Sequence, residues 1–410
     1  MELTARDEQL MKLTFLPLAE RIDLHRIAED LWQLVATPSP TCHERAVALA
    51  FATMLRRAGA QVEVDETLYD SPSVVGRLKG NRPGKIFQLS GHLDHIDVPH
   101  APPARTEEII SGRGSADMKN GLAAILEIVR VLSENGCDFP GEILVTAYGL
   151  HEAPNGNSAG LANLIQRGIK GEAALVAETS HSAEGTIAIQ GKGQAIWNLT
   201  VKRRGDVCHE LNYPAGAPDF FSACMTVAKA LTDAGKKLAE GKSKYDLLSP
   251  ESLFVGQMHY GDFYNRAPAT CSLQGTWRWC PDKTFADVEK EMHRLLETVT
   301  LPAGMSVACE WQFVGESYAV DRNAAVVLAQ QRAFQAVTGK PAAYRGLSVV
   351  TDTNRLVPQG NVPTVLCGFD NEFAHADYEY VRLDRLLEPC RIALLTGLNY
   401  LSMLEGDKQP

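Results

Sequence analysis

The sequence has no apolar run of about 18 residues, the length a membrane-spanning helix needs, so no span is expected. It also lacks a positive balance. The formal net charge is −10, and a nucleic-acid partner requires a basic surface. No Cys-x-x-Cys pair occurs among the nine cysteines. That argues against a thiolate zinc site, and the odd count argues against a disulfide frame. The opening Met1-Glu2-Leu3-Thr4-Ala5-Arg6-Asp7-Glu8 lacks the basic and then apolar pattern of a signal peptide. A cytoplasmic chain with reduced thiols is therefore expected. There is no internal repeat and no low-complexity segment. What remains is an ordinary globular composition, with 45% hydrophobic and 22% charged residues. A chain of 410 residues exceeds one core, so two or three domains are expected.

Apolar periodicity predicts a helix up to about Ala36, broken at Pro17, and a second helix from Glu44 to Arg57. Strands are predicted at Gln61–Asp65 and Lys85–Ser90. A helix from Lys119 to Glu134, a strand Glu142–Ala147, a helix Ser158–Arg167 and a strand Ala173–Ala177 follow. This alternation points to an α/β sheet covered by helices. The rhythm changes near Gly191. A half-exposed strand Ala195–Lys202 precedes a helix Phe220–Ala239, strands around Leu253–Val255 and Ala269–Trp279, a helix Phe285–Thr298 and a strand Val307–Val314. That β-α-β-β-α-β order is ferredoxin-like. Afterwards the first rhythm resumes, with a helix Ala324–Val337, a strand Val362–Cys367 and a helix Leu383–Leu404. The domain reading is thus 1–191 and 314–410 as two parts of one α/β domain, with 192–313 inserted.

Five polar motifs stand at or past expected strand ends, where α/β sheets place ligands. In Gly91-His92-Leu93-Asp94, His92 and Asp94 face the same side of an extended segment. Asp94 can then take one ring N–H of His92 and leave the other nitrogen for a metal. Gly112-Arg113-Gly114-Ser115-Ala116-Asp117 is a glycine-rich loop that runs into a helix. His151-Glu152 follows one strand and Glu178 another, and His375 lies in Ala374-His375-Ala376-Asp377. Taken singly, each has a bland reading: a surface pair, a helix cap, a solvated loop, a core histidine. Taken together, imidazoles and carboxylates without a thiolate suit Zn²⁺, Mn²⁺ or Co²⁺. His95, His100, His181 and His259 read as structural or rim residues.

These motifs resemble the dinuclear-metal exopeptidases and amidohydrolases, the family of glutamate carboxypeptidase, aminoacylase and succinyl-diaminopimelate desuccinylase. The resemblance covers about 85–380. It rests on 91–94, on Gly-Arg-Gly-Ser-Ala-Asp-Met-Lys-Asn-Gly at 112–121, on Ala-Glu-Thr at 177–179 and on the run 375–381. It implies a mixed-sheet, zinc-peptidase-like α/β domain with an inserted lid and dimerisation domain. It implies that His92 and Glu178 bind one ion, Glu152 and His375 the other, that Asp117 bridges them and that Asp94 orients His92. It also implies that His209, before Pro214-Ala215-Gly216, steadies an oxyanion in the partner subunit's site. Asn265 and Arg278 would hold the substrate, Arg278 by gripping a carboxylate. The implied activity is hydrolysis of a C–N bond in a small carboxylate-bearing substrate, by attack of a water held by the metal, in a homodimer.

One position departs from the resemblance. The family has two adjacent glutamates where this chain has His151-Glu152, and the first is the general base. An imidazole can serve as base near neutral pH, or bind metal or substrate. It adds no negative charge, so one tightly held ion is expected, with the second loose or absent. Two facing cations should also keep His151 neutral. The departure opens a second reading, hydrolytic deamination of an electron-poor aminoaromatic acid, with Tyr148, Phe263, Tyr264, Trp277 and Trp279 near the ring. A reading from another class is a catalytically inactive binding protein.

Overall fold

The computed structural model describes residues 14–178, 185–369 and 371–403. The chain divides into two compact units. One comprises Met1–Ile189, Ala319–Arg345 and Thr351–Pro410, the other Gln190–Tyr318 and Gly346–Val350. The expected first turns of the N-terminal helix, and His181, lie outside the described residues.

In the first unit, Pro17 sits in the first turn of a short helix, Leu16–Ala19, where a missing N–H costs nothing. The chain then turns, and Asp23 starts helix α1 (Leu24–Val35) by accepting the His25 N–H at 2.8 Å. Helix α2 (Arg45–Arg57) leads to strands β1 (Gln61–Asp65), β2 (Ser73–Lys79) and β3 (Arg82–His92). Strand β2 was not expected, because Gly76 weakens its pattern. In the fold that glycine lets α2 come close, since a Cβ there would stand 2.5 Å from Leu55 Cδ2. Helix α3 (Asn120–Glu134) is buried along most of its length. Strand β4 (Pro140–Tyr148), helix α4 (Ala159–Gln166) and strand β5 (Ala173–Val176) follow.

The second unit holds β6 (Gly193–Arg203), helix α5 (Phe220–Ala239), β7 (Ser252–Tyr260), β8 (Thr270–Trp279), helix α6 (Phe285–Glu297) and β9 (Met305–Gly315). Its sheet runs β7-β8-β6-β9, antiparallel throughout, the ferredoxin-like arrangement. Trp197, Leu199, Val227, Leu231, Leu273 and Trp277 fill its core.

The chain re-enters the first unit with helix α7 (Ala325–Thr338), β10 (Thr364–Leu366) and helix α8 (Leu387–Ser402). The last helix begins at Leu387, after a separate turn at Leu383–Arg385. The six-stranded sheet is mixed, in the order β1-β2-β4-β3-β5-β10. Strands β4, β3, β5 and β10 are parallel, while β1 and β2 are antiparallel to their neighbours. The parallel strands bring their C-terminal ends to one edge, with His92 opposite Tyr148. A small antiparallel sheet pairs Tyr380–Arg382 with Ile109–Ser111. It joins the His375 run to the glycine-rich loop.

Candidate metal centre

His92 ends β3 and is fully buried. Its Nδ1 lies 3.0 Å from the backbone carbonyl oxygen of Asp94. A carbonyl only accepts, so Nδ1 carries the proton and Nε2 offers its lone pair. That Nε2 is 3.2 Å from Asp117 Oδ1. The Asp94 carboxylate was expected to orient His92, but it stands 3.7 Å from Nδ1. Its bonds go elsewhere. It accepts the N–H of His151 at 3.0 Å, the N–H of Glu152 at 2.9 Å and the Thr41 hydroxyl at 3.0 Å. Asp94 thus orients His92 by its main chain and fixes the 151–152 loop by its side chain. Glu44, buried on α2's N-terminal side, accepts the preceding Leu150 N–H at 2.8 Å.

Asp117 lies in the turn Ser115–Lys119, and its peptide bond to Met118 is cis. Its Oδ2 is 3.3 Å from His375 Nε2. Glu152 Oε1 lies 3.0 Å from the same nitrogen. Glu178 follows β5, and its Oε2 is buried without a hydrogen-bond partner. Helix α3 passes close to this strand end. A Cβ on Gly121 would stand 1.9 Å from the Ala177 carbonyl oxygen, so only glycine permits the approach that sets Asp117 near Glu178.

His151 stacks on His92, with ring centroids 4.0 Å apart and planes 4° from parallel. Its Nδ1 is 2.9 Å from Asp352 Oδ1, a buried carboxylate that sequence reasoning missed. Asp352 Oδ2 accepts the Tyr148 hydroxyl at 2.7 Å, which is 2.9 Å from Ser90 Oγ. Nδ1 of His151 therefore carries a proton too, and Nε2 is its open nitrogen. Two groups of donors fall within 4.8 Å of one another: His92, His151 and Glu178, and His92, Asp117 and Glu152. The first places His151 among potential ligands.

The charges reflect this crowding. Burial and the neighbouring His151 oppose a proton on His92, yet Asp117 and Asp94 prevail and raise it to about 9. Hydrogen bonds to Asp117 and Glu152 raise His375 to about 10. Burial works against the Asp117 charge, but His375 and His92 hold its carboxyl far below the usual range. Burial, then the Asp117 charge, raises Glu178 to about 8. For His151, burial opposes the charge and Asp352 outweighs it, so its pKa is raised. The neutral His151 expected beside two cations thus has an opposing influence in Asp352.

The other expected residues lie in the second unit. His209 pairs through its strand with Arg266. Its Nδ1 accepts the Leu211 N–H at 3.2 Å, and its Nε2 lies 3.1 Å from the Asn265 side-chain amide nitrogen. Arg278 on β8 donates to the Ser348 carbonyl oxygen. The aromatic residues expected near a substrate ring are placed otherwise. Trp277 and Trp279 are buried in the second unit's core, and Tyr148 is fully buried behind His151. Phe263 and Tyr264 are exposed and pack on each other. His95 and His100 are structural, each accepting a main-chain N–H, from Ser39 and Glu379.

A family model described as peptidase family M20/M25/M40 matches residues 89–396. The chain belongs to this family. It is 24% identical over 426 residues to the N-formyl-4-amino-5-aminomethyl-2-methylpyrimidine deformylase of Bacillus subtilis, across 95% of this chain and 97% of that protein. It is 26% identical over 320 residues to a succinyl-diaminopimelate desuccinylase of Marinobacter nauticus, across 75% and 81%. Among solved structures, the aminopeptidase PepT of Bacillus cereus superposes with a TM-score of 0.74 at 18% identity, over 93% of this chain and all of the other. The YXEP protein of Bacillus subtilis, a dinuclear metal-binding peptidase from M20 family, gives 0.68 at 14%, over 93% and 99%.

The M20 chain is thus a hydrolase of amide-type C–N bonds that depends on divalent metal. Its residues fit such ions. The imidazoles of His92 and His151, converging carboxylates and the unpartnered Glu178 oxygen form a hard, oxygen- and nitrogen-rich donor set. Among the described residues, no helix is long and apolar enough to cross a membrane. Sequence reasoning missed Asp352 and the roles of Glu44 and Glu379. Glu379 stood inside a quoted motif. Asp352 had only the polar run Thr351-Asp352-Thr353-Asn354 as a signal.

Proposed function

We propose that this M20 enzyme hydrolyses an amide-type C–N bond in a small, carboxylate-bearing substrate. The observation that carries the reading is the convergence of His92, Asp117, Glu152, Glu178 and His375 at one sheet edge. His92 and Glu178 would hold one divalent ion, Glu152 and His375 a second, with Asp117 between them. Zn²⁺ or Mn²⁺ suits these donors and Co²⁺ is an alternative. Bound ions would polarise the reacting carbonyl and lower the pKa of water. Asp352 holds the His151 Nδ1–H, which leaves Nε2 to take a proton as water adds to the carbonyl carbon. The same nitrogen returns that proton to the leaving nitrogen as the C–N bond breaks. His209, fixed by Asn265, would steady the oxyanion across a homodimer, and Arg278 would grip the substrate carboxylate.

Metal analysis with a substrate panel of N-acyl amino acids, dipeptides and aminoaromatic acids tests this. Asp117→Ala is expected to lose ions and activity together. Full ion content with a normal rate in that variant would sink the assignment. The replacement of a base glutamate by His151 favours a second reading, in which water displaces ammonia from an electron-poor aminoaromatic acid. Turnover of aminoaromatic acids without turnover of N-acyl amino acids would select it.

A further inference from the structure

Glu379 is 1% exposed and has no role in the chemistry proposed above. Its Oε1 accepts the backbone N–H of Ala116 at 3.0 Å and of Asp117 at 3.2 Å. Its Oε2 accepts from Arg113 Nη1 at 3.1 Å. That same Nη1 donates to the Ala376 carbonyl oxygen at 2.9 Å, beside His375. The Glu379 main chain is engaged as well. Its N–H donates to His100 Nε2 at 2.8 Å, and its carbonyl oxygen accepts the Gly112 N–H at 3.1 Å. One residue therefore ties the loop that carries Asp117 to the run that carries His375.

We propose that Glu379 is a positioning residue of the metal centre, whose carboxylate sets Asp117 in place relative to His375. The proposal rests on the reading of Asp117 as a ligand. A carboxylate that accepts two consecutive N–H groups fixes both the position and the direction of the peptide they belong to. Asp117 must face two ligand groups at once, His92 through Oδ1 and His375 through Oδ2. A small rotation of its main chain would lose one of them. Partners beyond the direct ligands typically change metal affinity by about 10–100-fold.

A purely structural ion pair between Arg113 and Glu379 is the competing account, and paired variants separate the two. Arg113→Met/Glu379→Gln and Arg113→Met/Glu379→Leu both remove the ion pair without stranding a buried charge. Only the glutamine keeps an oxygen for the Ala116 and Asp117 N–H groups. Mn²⁺ affinity is measured by electron paramagnetic resonance of free Mn²⁺, and the metal-free melting temperature alongside. The expected result is about 10–100-fold weaker Mn²⁺ binding in the leucine variant than in the glutamine variant, with similar melting temperatures. Equal affinities overturn the proposal. If the double variants do not fold, Glu379→Asp keeps the charge but withdraws it from the two N–H groups. It should weaken Mn²⁺ binding to the same degree, and wild-type affinity there overturns the proposal. Asp117→Ala is the reference. If that variant binds Mn²⁺ normally, the site reading fails and this inference with it. If it is impaired while the paired variants are equal, this inference alone fails.

Discussion

At the scale of single residues, the proposed reaction turns on His151. Its Nδ1 is committed to Asp352, so only Nε2 faces the centre. As a base, it should contribute about 10²–10⁴-fold to kcat. His151→Ala is then expected to keep its ions and lose that much rate. Ion loss in the variant, measured by elemental analysis, would instead make His151 a third ligand beside His92 and Glu178. His151→Glu adds a negative charge and should tighten the second ion. If the wild type already holds two ions tightly and cleaves ordinary dipeptides fast, the histidine has no special meaning. Arg278 poses a simpler question. Arg278→Lys replaces a planar fork by a point charge and should mainly raise KM for a carboxylate substrate. An unchanged KM would assign Arg278 to its bond with the Ser348 carbonyl.

At the scale of elements, the site depends on how closely helix α3 approaches β5. Gly121→Ala would drive a methyl into the Ala177 carbonyl oxygen, 1.9 Å from the ideal Cβ position. The helix must shift, at a cost of about 1–3 kcal/mol. Asp117 and Glu178 would move apart with it, so a lower melting temperature and weaker metal binding are expected together. A variant with normal metal affinity would show that the approach serves packing alone. The main elements were legible because period and burial agree. Helices α2, α3, α5 and α6 and strands β3, β4, β6 and β8 all announced themselves by apolar spacing. Strand β2 did not, because Gly76 serves a neighbour rather than its own strand. The side chains that the structure gathers into the candidate centre stand in short motifs at strand ends, which made them legible. Asp352, Glu44 and Glu379 were not, because each acts on a segment distant in sequence. Asp352 meets His151 from 201 positions away, and no local pattern encodes such a pairing.

At the scale of the whole molecule, the question is whether one chain carries a complete site. The charged chemistry gathers in the first unit, whereas His209, Asn265 and Arg278 belong to the second. His209 sits in an exposed two-residue strand, held by the Leu211 N–H and the Asn265 amide. Those contacts hold the ring in place, and an imidazole N–H is a donor suited to a developing negative charge. If His209 serves the partner's centre, the two halves of a site come from different chains. Mixing a His209→Ala chain with an Asp117→Ala chain tests this, because neither is expected to be active alone. In the hybrid dimer one site carries both lesions and the other carries none. Random exchange of equal amounts makes about half of the dimers hybrids, each with one intact site, so about a quarter of the wild-type rate per site is expected to return. Subunit exchange is checked by differently tagged chains that co-purify. Confirmed exchange without regained activity would place His209 in the site of its own chain, and a monomer at working concentration would remove the dimer from the reading altogether.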